Sequence, residues 1–202
     1  MSVPATISLH SPSKYSSSST SPTASPPPEW LHRTWSVTHS TLSMWRSARN
    51  VRITYTPLPP HSSSGAQRID DLVEYESLNG KSGVKSVAGV DTASKPDDTG
   101  AWDWRGKGWL FFVSSHWEVL GWGERPLAGA DSGVERWVVT WFAPTLFTKE
   151  GVDVYSDRRE GVSKETLDEI TAALKGLDAK PVTEMCEKDM RAVEIQLPWK
   201  ER

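Results

Sequence analysis

VDVYSDRREGVSKETLDEITAALKGL, residues 152–177, changes its hydrophobic period once, and that change decides the fold. Val152–Asp157 reads as a short strand. Beyond it, Leu167, Ile170, Leu174 and Leu177 recur at intervals of 3, 4 and 3, which places them on one face of a helix. Ser163 stands where it can cap that helix, and Glu165 sits in the positive first turn. A helix is therefore expected near 163–177. The chain before it is a succession of strand-like runs, so its apolar stripe has one obvious burial site, the outside of the sheet that those strands form.

Working back toward the N-terminus, the runs are short and closely spaced. Trp30–Thr41 is a first strand. Val51, Ile53 and Tyr55 alternate with Arg52, Thr54 and Thr56, a period of two that ends at the turn PLPP. Ile69–Leu78 closes at Asn79-Gly80, a strong tight-turn dipeptide, and Val84–Thr92 is the partner such a hairpin requires. Residues 94–100 read as a loop by composition. Two further strands are expected near 107–113 and 116–123, broken at Ser114-Ser115, then a loop at 126–133 and a strand at Arg136–Phe142. With Val152–Asp157 this makes eight. The pattern predicts an all-β fold, an eight-stranded antiparallel up-and-down β-barrel with one C-terminal helix packed outside. A short edge strand through Val193 and Ile195 is expected after Pro181. Residues 1–28 are Ser/Pro-rich and read as a disordered tail, which leaves 29–202 as the barrel domain.

Composition narrows the function classes. The net charge of -3 argues against a nucleic-acid partner or a membrane surface. No apolar run approaches the roughly 20 residues that span a bilayer. The single cysteine, Cys186, excludes an internal disulfide framework, and MSVPATISLH lacks the basic start and apolar core of a secretory signal, so a cytoplasmic location is expected. Eleven tryptophans against four phenylalanines and four tyrosines is a skewed aromatic usage. Indoles line pockets well, because they join a large apolar area to one N–H donor, but they also fill barrels with no role beyond packing.

Eight strands, one helix and a short strand follow the order of the lipocalins, and particular residues extend the likeness. That family opens with Gly-x-Trp on its first strand; here RTW carries Trp35, with Arg33 in the glycine's place. It also carries an arginine before the helix that covers the tryptophan, and VYSDRREGVSKE offers Arg158 or Arg159. A cation over an indole gains about 0.5–2 kcal/mol. The chain thus resembles the wider calycin group, most clearly from about 107 to 177. WRSARNVRITYTPL and AWDWRGKGWL look like signatures of a fungal, intracellular branch. The resemblance implies binding of a small, mostly apolar molecule inside the barrel.

Function must still be argued from the site. The histidines His10, His32, His39, His61 and His116 have no paired short spacing, so no metal motif is visible, and no cofactor is expected. A single axial histidine for haem would fall to His116 or His39. There is no nucleophile elbow, phosphate-cradling loop or dinucleotide fingerprint. His116 and Glu118 share one strand parity, and in a dry lumen they would form an acid/base pair; on a solvent face they would only hydrogen-bond each other. Arg52 opposes an apolar set and is expected outside, whereas Arg46 precedes the alternation and could anchor an anionic group at an opening.

Three readings follow. In the first, a Trp-lined cavity binds a small hydrophobic or aromatic molecule through Trp35, Trp45, Tyr55, Trp109, Trp117 and Trp141, with His39, Arg46 and His116 as polar anchors. In the second, the same cavity acts as a cofactor-independent cyclase or isomerase, with His116, Glu118 and Arg46 as catalytic groups. In the third, the barrel is packed solid and exposed indoles form a protein interface.

Overall fold

The computed structural model describes residues 7–16, 25–96, 98–127 and 133–201. Eight strands run in sequence: β1 Thr34–Ser40, β2 Ala48–Leu58, β3 Arg68–Ser77, β4 Lys85–Lys95, β5 Asp98–Gly106, β6 Ser114–Leu127, β7 Gly133–Phe142 and β8 Gly151–Ser156. Each pairs antiparallel with the next. β8 then returns to β1, Val37 opposite Tyr155 and Ser36 opposite Ser156, and closes the barrel. The expected eight-stranded up-and-down barrel is the architecture observed.

One hairpin lies elsewhere than its composition suggests. The expected strand near 107–113 is a turn of 3-10 helix and its flanks, and the residues assigned to a loop at 94–100 belong largely to β4 and β5. Trp102 and Trp104 supply the strand pattern on β5. Gly108 takes φ +58, which breaks the extended chain there. Among the described residues, no helix is long and apolar enough to cross a membrane.

Register and burial fix which parity faces inward. Trp35, Ile53, Tyr55, Asp71, Val73, Asp91, Ala93, Trp102, Trp117, Val119, Val138, Thr140, Asp153 and Tyr155 point into the barrel. Val139, Trp141, Val152 and Val154 point out, into a second apolar layer under the helices α2 Lys164–Lys175 and α3 Lys180–Asp189. This layer explains why β8 looks apolar on both parities. Ser163 caps α2 through the Thr166 N–H, and Ile170 and Leu174 bury its stripe. α3 was not expected: Pro181, read as the entry to an edge strand, sits in a helical first turn, where its missing N–H costs nothing. The edge strand, β9, is the short Arg191–Ala192 beside β1.

Two terminal segments strap the outer wall. Residues 7–16, expected within an unstructured tail, lie across it. His10 N–H donates to the Leu120 carbonyl at 2.9 Å, Leu9 rests on the bare backbone of Gly121, and Tyr15 meets the edge of Trp141. Ile7, Leu9 and Tyr15 are the apolar side chains that hold this Ser/Pro-rich stretch down; residues 1–6 and 17–24 lie outside the described residues. At the other terminus, Asn50 and Gln196 exchange backbone–amide bonds of 2.7 and 2.8 Å, and Arg52 and Arg159 both lie over the Trp199 ring. Arg52 is therefore exterior, as its alternation implies, but buried by the strap.

Candidate functional site

One end of the barrel is sealed. A helical turn, α1 Pro28–Leu31, sets Trp30 against Trp35 and Trp122, with ring centres 5.1 and 4.8 Å away. The Trp35 N–H donates to the Leu31 carbonyl at 3.0 Å. The cation over this plug is Arg33, 5.4 Å from both the Trp30 and Trp35 rings and tied by its Nε to the Trp30 carbonyl. The resemblance assigned that task to Arg158 or Arg159. Instead Arg158 turns to Glu135 and Glu160, and Arg159 to Trp199. The residue standing in place of the glycine does the covering.

The opposite end is rimmed by the β1–β2, β3–β4, β5–β6 and β7–β8 connections. They carry Met44, Leu78, Trp109, Phe111, Phe112, Leu146 and Phe147, all exposed; Trp109 is 77% and Leu146 84% exposed. The other exposed large apolar side chains among the described residues are Val134 and Leu197.

Between the ends, the inward face combines an aromatic stack with acids. Tyr55 lies parallel to Trp117 at 5.8 Å, and Trp117 parallel to Trp102 at 5.9 Å. Trp117 donates its N–H to Asp91 Oδ1 at 2.8 Å. Asp71 stands opposite Gly89, and the indole of Trp104 covers that glycine so closely that an added Cβ would lie 2.1 Å from its Nε1. Trp104 thereby brings its N–H to the Asp71 carboxyl. Asp153 accepts a hydrogen bond from the Ser40 hydroxyl, with Trp45 close by and Thr140 directly across the sheet.

The electrostatics of this cluster follow from burial. Asp71, Asp91 and Asp153 are buried at 7%, 0% and 2% exposure. Loss of hydration pushes the Asp153 carboxyl up to about 7, against the pull of Ser40 and Trp45. Asp71 is raised by burial and by Asp70, and Asp91 by burial and by Asp71. The Tyr55 and Tyr155 hydroxyls are raised too, by burial first and then by the charges of these aspartates. Among the described residues, Asp71 Oδ1 and Asp91 Oδ2 are buried here with no hydrogen-bond partner, while the Tyr155 and Thr140 hydroxyls bond each other and the Trp45 N–H turns to Asp153. Such atoms cost about 1–3 kcal/mol each when left unpaired, which singles out the interior among the surfaces of the barrel.

The residues named from the sequence divide accordingly. Trp35, Trp45, Tyr55 and Trp117 face the interior, Trp35 in the plug and Trp45 at the far end against Tyr75. His39, Arg46, Trp109, His116, Glu118 and Trp141 do not. His39 faces outward beside β9, and the Arg46 guanidinium bonds the Ser40 and Asp189 carbonyls at 2.8 Å. Trp141 lies in the outer layer with its N–H on Glu150 at 2.7 Å.

His116 and Glu118 do form a pair, but on the outer wall rather than in a dry lumen. His116 bridges Glu118 at 3.2 Å and Asp103 at 2.8 Å, while Ser13 of the N-terminal strap donates its N–H and hydroxyl to Glu118. The hydrogen bond to Glu118, then that to Asp103, raises the imidazole to about 9, so at neutral pH it is a cation with no free lone pair to accept a proton. The outward parity of β5 and β6 is the reason: Trp102 and Trp117 take the inside.

Asp71, Asp91, Asp153, Thr140 and Tyr155 were missed. A usable signal existed. Ile69, Asp71, Val73 and Tyr75 share one parity, so Asp71 interrupts an apolar face. Among the described residues, no group of three His, Cys, Asp or Glu lies close enough to hold a metal ion. Outside the barrel, an open groove of about 340 Å³ is lined by His61, Arg68, Arg105, Lys107 and Phe111, but Lys107 pairs with Asp70 and Arg105 with the Phe111 carbonyl. The candidate site is the interior.

No protein-family model matches the sequence, and no curated protein matches it either. The structure does have similar solved structures. Lobster apocrustacyanin A1 superposes with a TM-score of 0.53 over 85% of this chain and 81% of that one, at 8% identity. The fold is lipocalin-like. At that identity the likeness extends to the fold and no further.

Proposed function

We propose that the barrel binds a small, largely apolar or aromatic molecule, seated on the Tyr55–Trp117–Trp102 stack. The observation that carries this reading is a pair of buried carboxyl oxygens beside that stack, Asp71 Oδ1 and Asp91 Oδ2, with no hydrogen-bond partner among the described residues. A barrel filled only for packing gains nothing from buried, unpaired carboxyl oxygens. The exposed apolar rim at the end opposite the plug gives such a molecule a surface to approach. The test is a titration with the neutral fluorophore N-phenyl-1-naphthylamine. Saturable one-to-one binding with quenching of tryptophan emission, weakened by Trp117→Leu, is expected. Binding that does not saturate, or that responds only to Trp109→Ser at the rim, would remove the interior from consideration.

A second reading has its own support. Asp91 is buried, and loss of hydration together with the charge of Asp71 raises its carboxyl well above the ordinary range, which favours the protonated acid beside aromatic faces. That arrangement suits proton donation to an unsaturated substrate, as a cofactor-independent isomerase or cyclase requires. Turnover of a bound polyene, lost in Asp91→Asn with affinity kept, would establish it; binding with no turnover would leave carriage alone.

A further inference from the structure

We propose that the molecule taken by the interior is a cation, a primary or secondary amine on an apolar or aromatic body. The inference rests on the interior binding proposed above and adds its chemical class.

Three carboxyl groups reach the interior from three separate strands, Asp71 on β3, Asp91 on β4 and Asp153 on β8. Asp71 and Asp91 occupy diagonal inward positions, because Gly89 is the direct partner of Asp71 and Ile69 that of Asp91. Such diagonal neighbours lie roughly 7–8 Å apart at their Cα atoms, near enough for one ammonium group to bridge them. Among the described residues, no basic side chain shares the mid-barrel inward positions. The two cations whose charge reaches the cluster are occupied: Lys107 is paired with Asp70, and Arg46 with two backbone carbonyls. The interior therefore holds acids without internal counter-charges.

The unpartnered atoms identify what is wanted there. Asp71 Oδ1 and Asp91 Oδ2 are carboxyl oxygens without a partner, and the Thr140 and Tyr155 hydroxyls, which bond each other, keep acceptor lone pairs to spare. Thr140 and Tyr155 are both buried at no more than 1% exposure and are not part of any acidic pair. Their presence turns an acidic cluster into a lined site. An ammonium group is a multiple donor with no acceptor, and its charge draws the raised carboxyls into their ionised, acceptor form; a carboxylate or phosphate ligand would bring like charge to them. The three carboxyls are too dispersed to chelate a metal ion, but a cation with an organic body spans them. That body would lie on Tyr55 and Trp117, whose ring faces favour positive charge as well as apolar contact.

The experiment compares three probes of similar shape against the full-length protein, followed by tryptophan emission: 2-phenylethylamine, neutral 2-phenylethanol and anionic phenylacetate. The amine is expected to bind at least about tenfold more tightly than the alcohol, the effect of one charge-assisted pair, and the anion least. Asp91→Asn and Asp71→Asn should each bring the ratio of amine to alcohol affinity close to one. The wild-type comparison needs no variant, so it decides the matter even if one fails to fold. Equal affinity for amine and alcohol overturns the cation assignment and leaves apolar binding standing. If none of the three probes, nor N-phenyl-1-naphthylamine, binds, the interior site falls with it. An amine preference that survives both substitutions also overturns the proposal.

Discussion

Replacing Asp153 with asparagine should flatten the pH dependence of folding. In the folded chain the Asp153 carboxyl is pushed to about 7, while the ordinary value is 3.8. Below about pH 4 the acid is protonated in both states and contributes no difference. Between those values the unfolded chain releases a proton that the folded chain keeps, so stability falls as pH rises. Above pH 7 the loss is complete. A difference of roughly 3 pKa units corresponds to about 4 kcal/mol, with a slope near 1.4 kcal/mol per pH unit. Asparagine retains an acceptor for the Ser40 hydroxyl and carries no charge to desolvate. Asp153→Asn should therefore match wild type near pH 4 and exceed it by up to about 4 kcal/mol near pH 8. Urea unfolding at several pH values measures both curves. Parallel curves, with the difference between variant and wild type independent of pH, would refute the placement of Asp153 in a water-poor interior.

Three further outcomes are expected. Arg33→Ala removes a cation from two indoles and a bond to the Trp30 carbonyl, and should cost about 1–3 kcal/mol in urea unfolding. The His116 imidazole should titrate by NMR near 9 in the folded protein, and Glu118→Gln, which removes the main stabilising partner of the cation, should lower that value. Because the folded value lies above the ordinary 6.5, the histidine's contribution to stability is complete below that value and fades as pH rises through about 9. Cys186 sits on the buried face of α3 with its thiol pushed up to about 12 by burial, so a thiol reagent near neutral pH should react slowly with the folded chain and rapidly in urea.

Much of the barrel was legible because its hairpins announce themselves locally. Val51–Tyr55 alternates, Asn79-Gly80 turns, and Leu167–Leu177 has a helical period over four residues on one face. The misplaced strand near 107–113 shows the limit: Trp109, Phe111 and Phe112 are as apolar as any strand residue, yet they stand exposed on the rim. Hydrophobicity alone does not separate a strand from an apolar loop. The site was harder to read, because inward and outward faces cannot be told apart when both are buried. The helices and the two straps cover the outer wall, so Trp141 and Val152 on the outside look no different from Trp117 and Val138 on the inside. An aspartate on an apolar parity, such as Asp71, was the more informative residue.

The position of Arg33 bears on the order in which the chain folds. In a closed barrel the last strand must find the first, here Ser156 beside Ser36, and contacts of such sequence separation slow folding. The plug is free of that delay. Trp30, Arg33 and Trp35 lie within six consecutive residues, so the cation and two of its indoles can collapse together before any distant strand arrives. A covering arginine drawn from beyond β8 would have to wait for closure; this one needs only its own neighbours in sequence to reach both indoles.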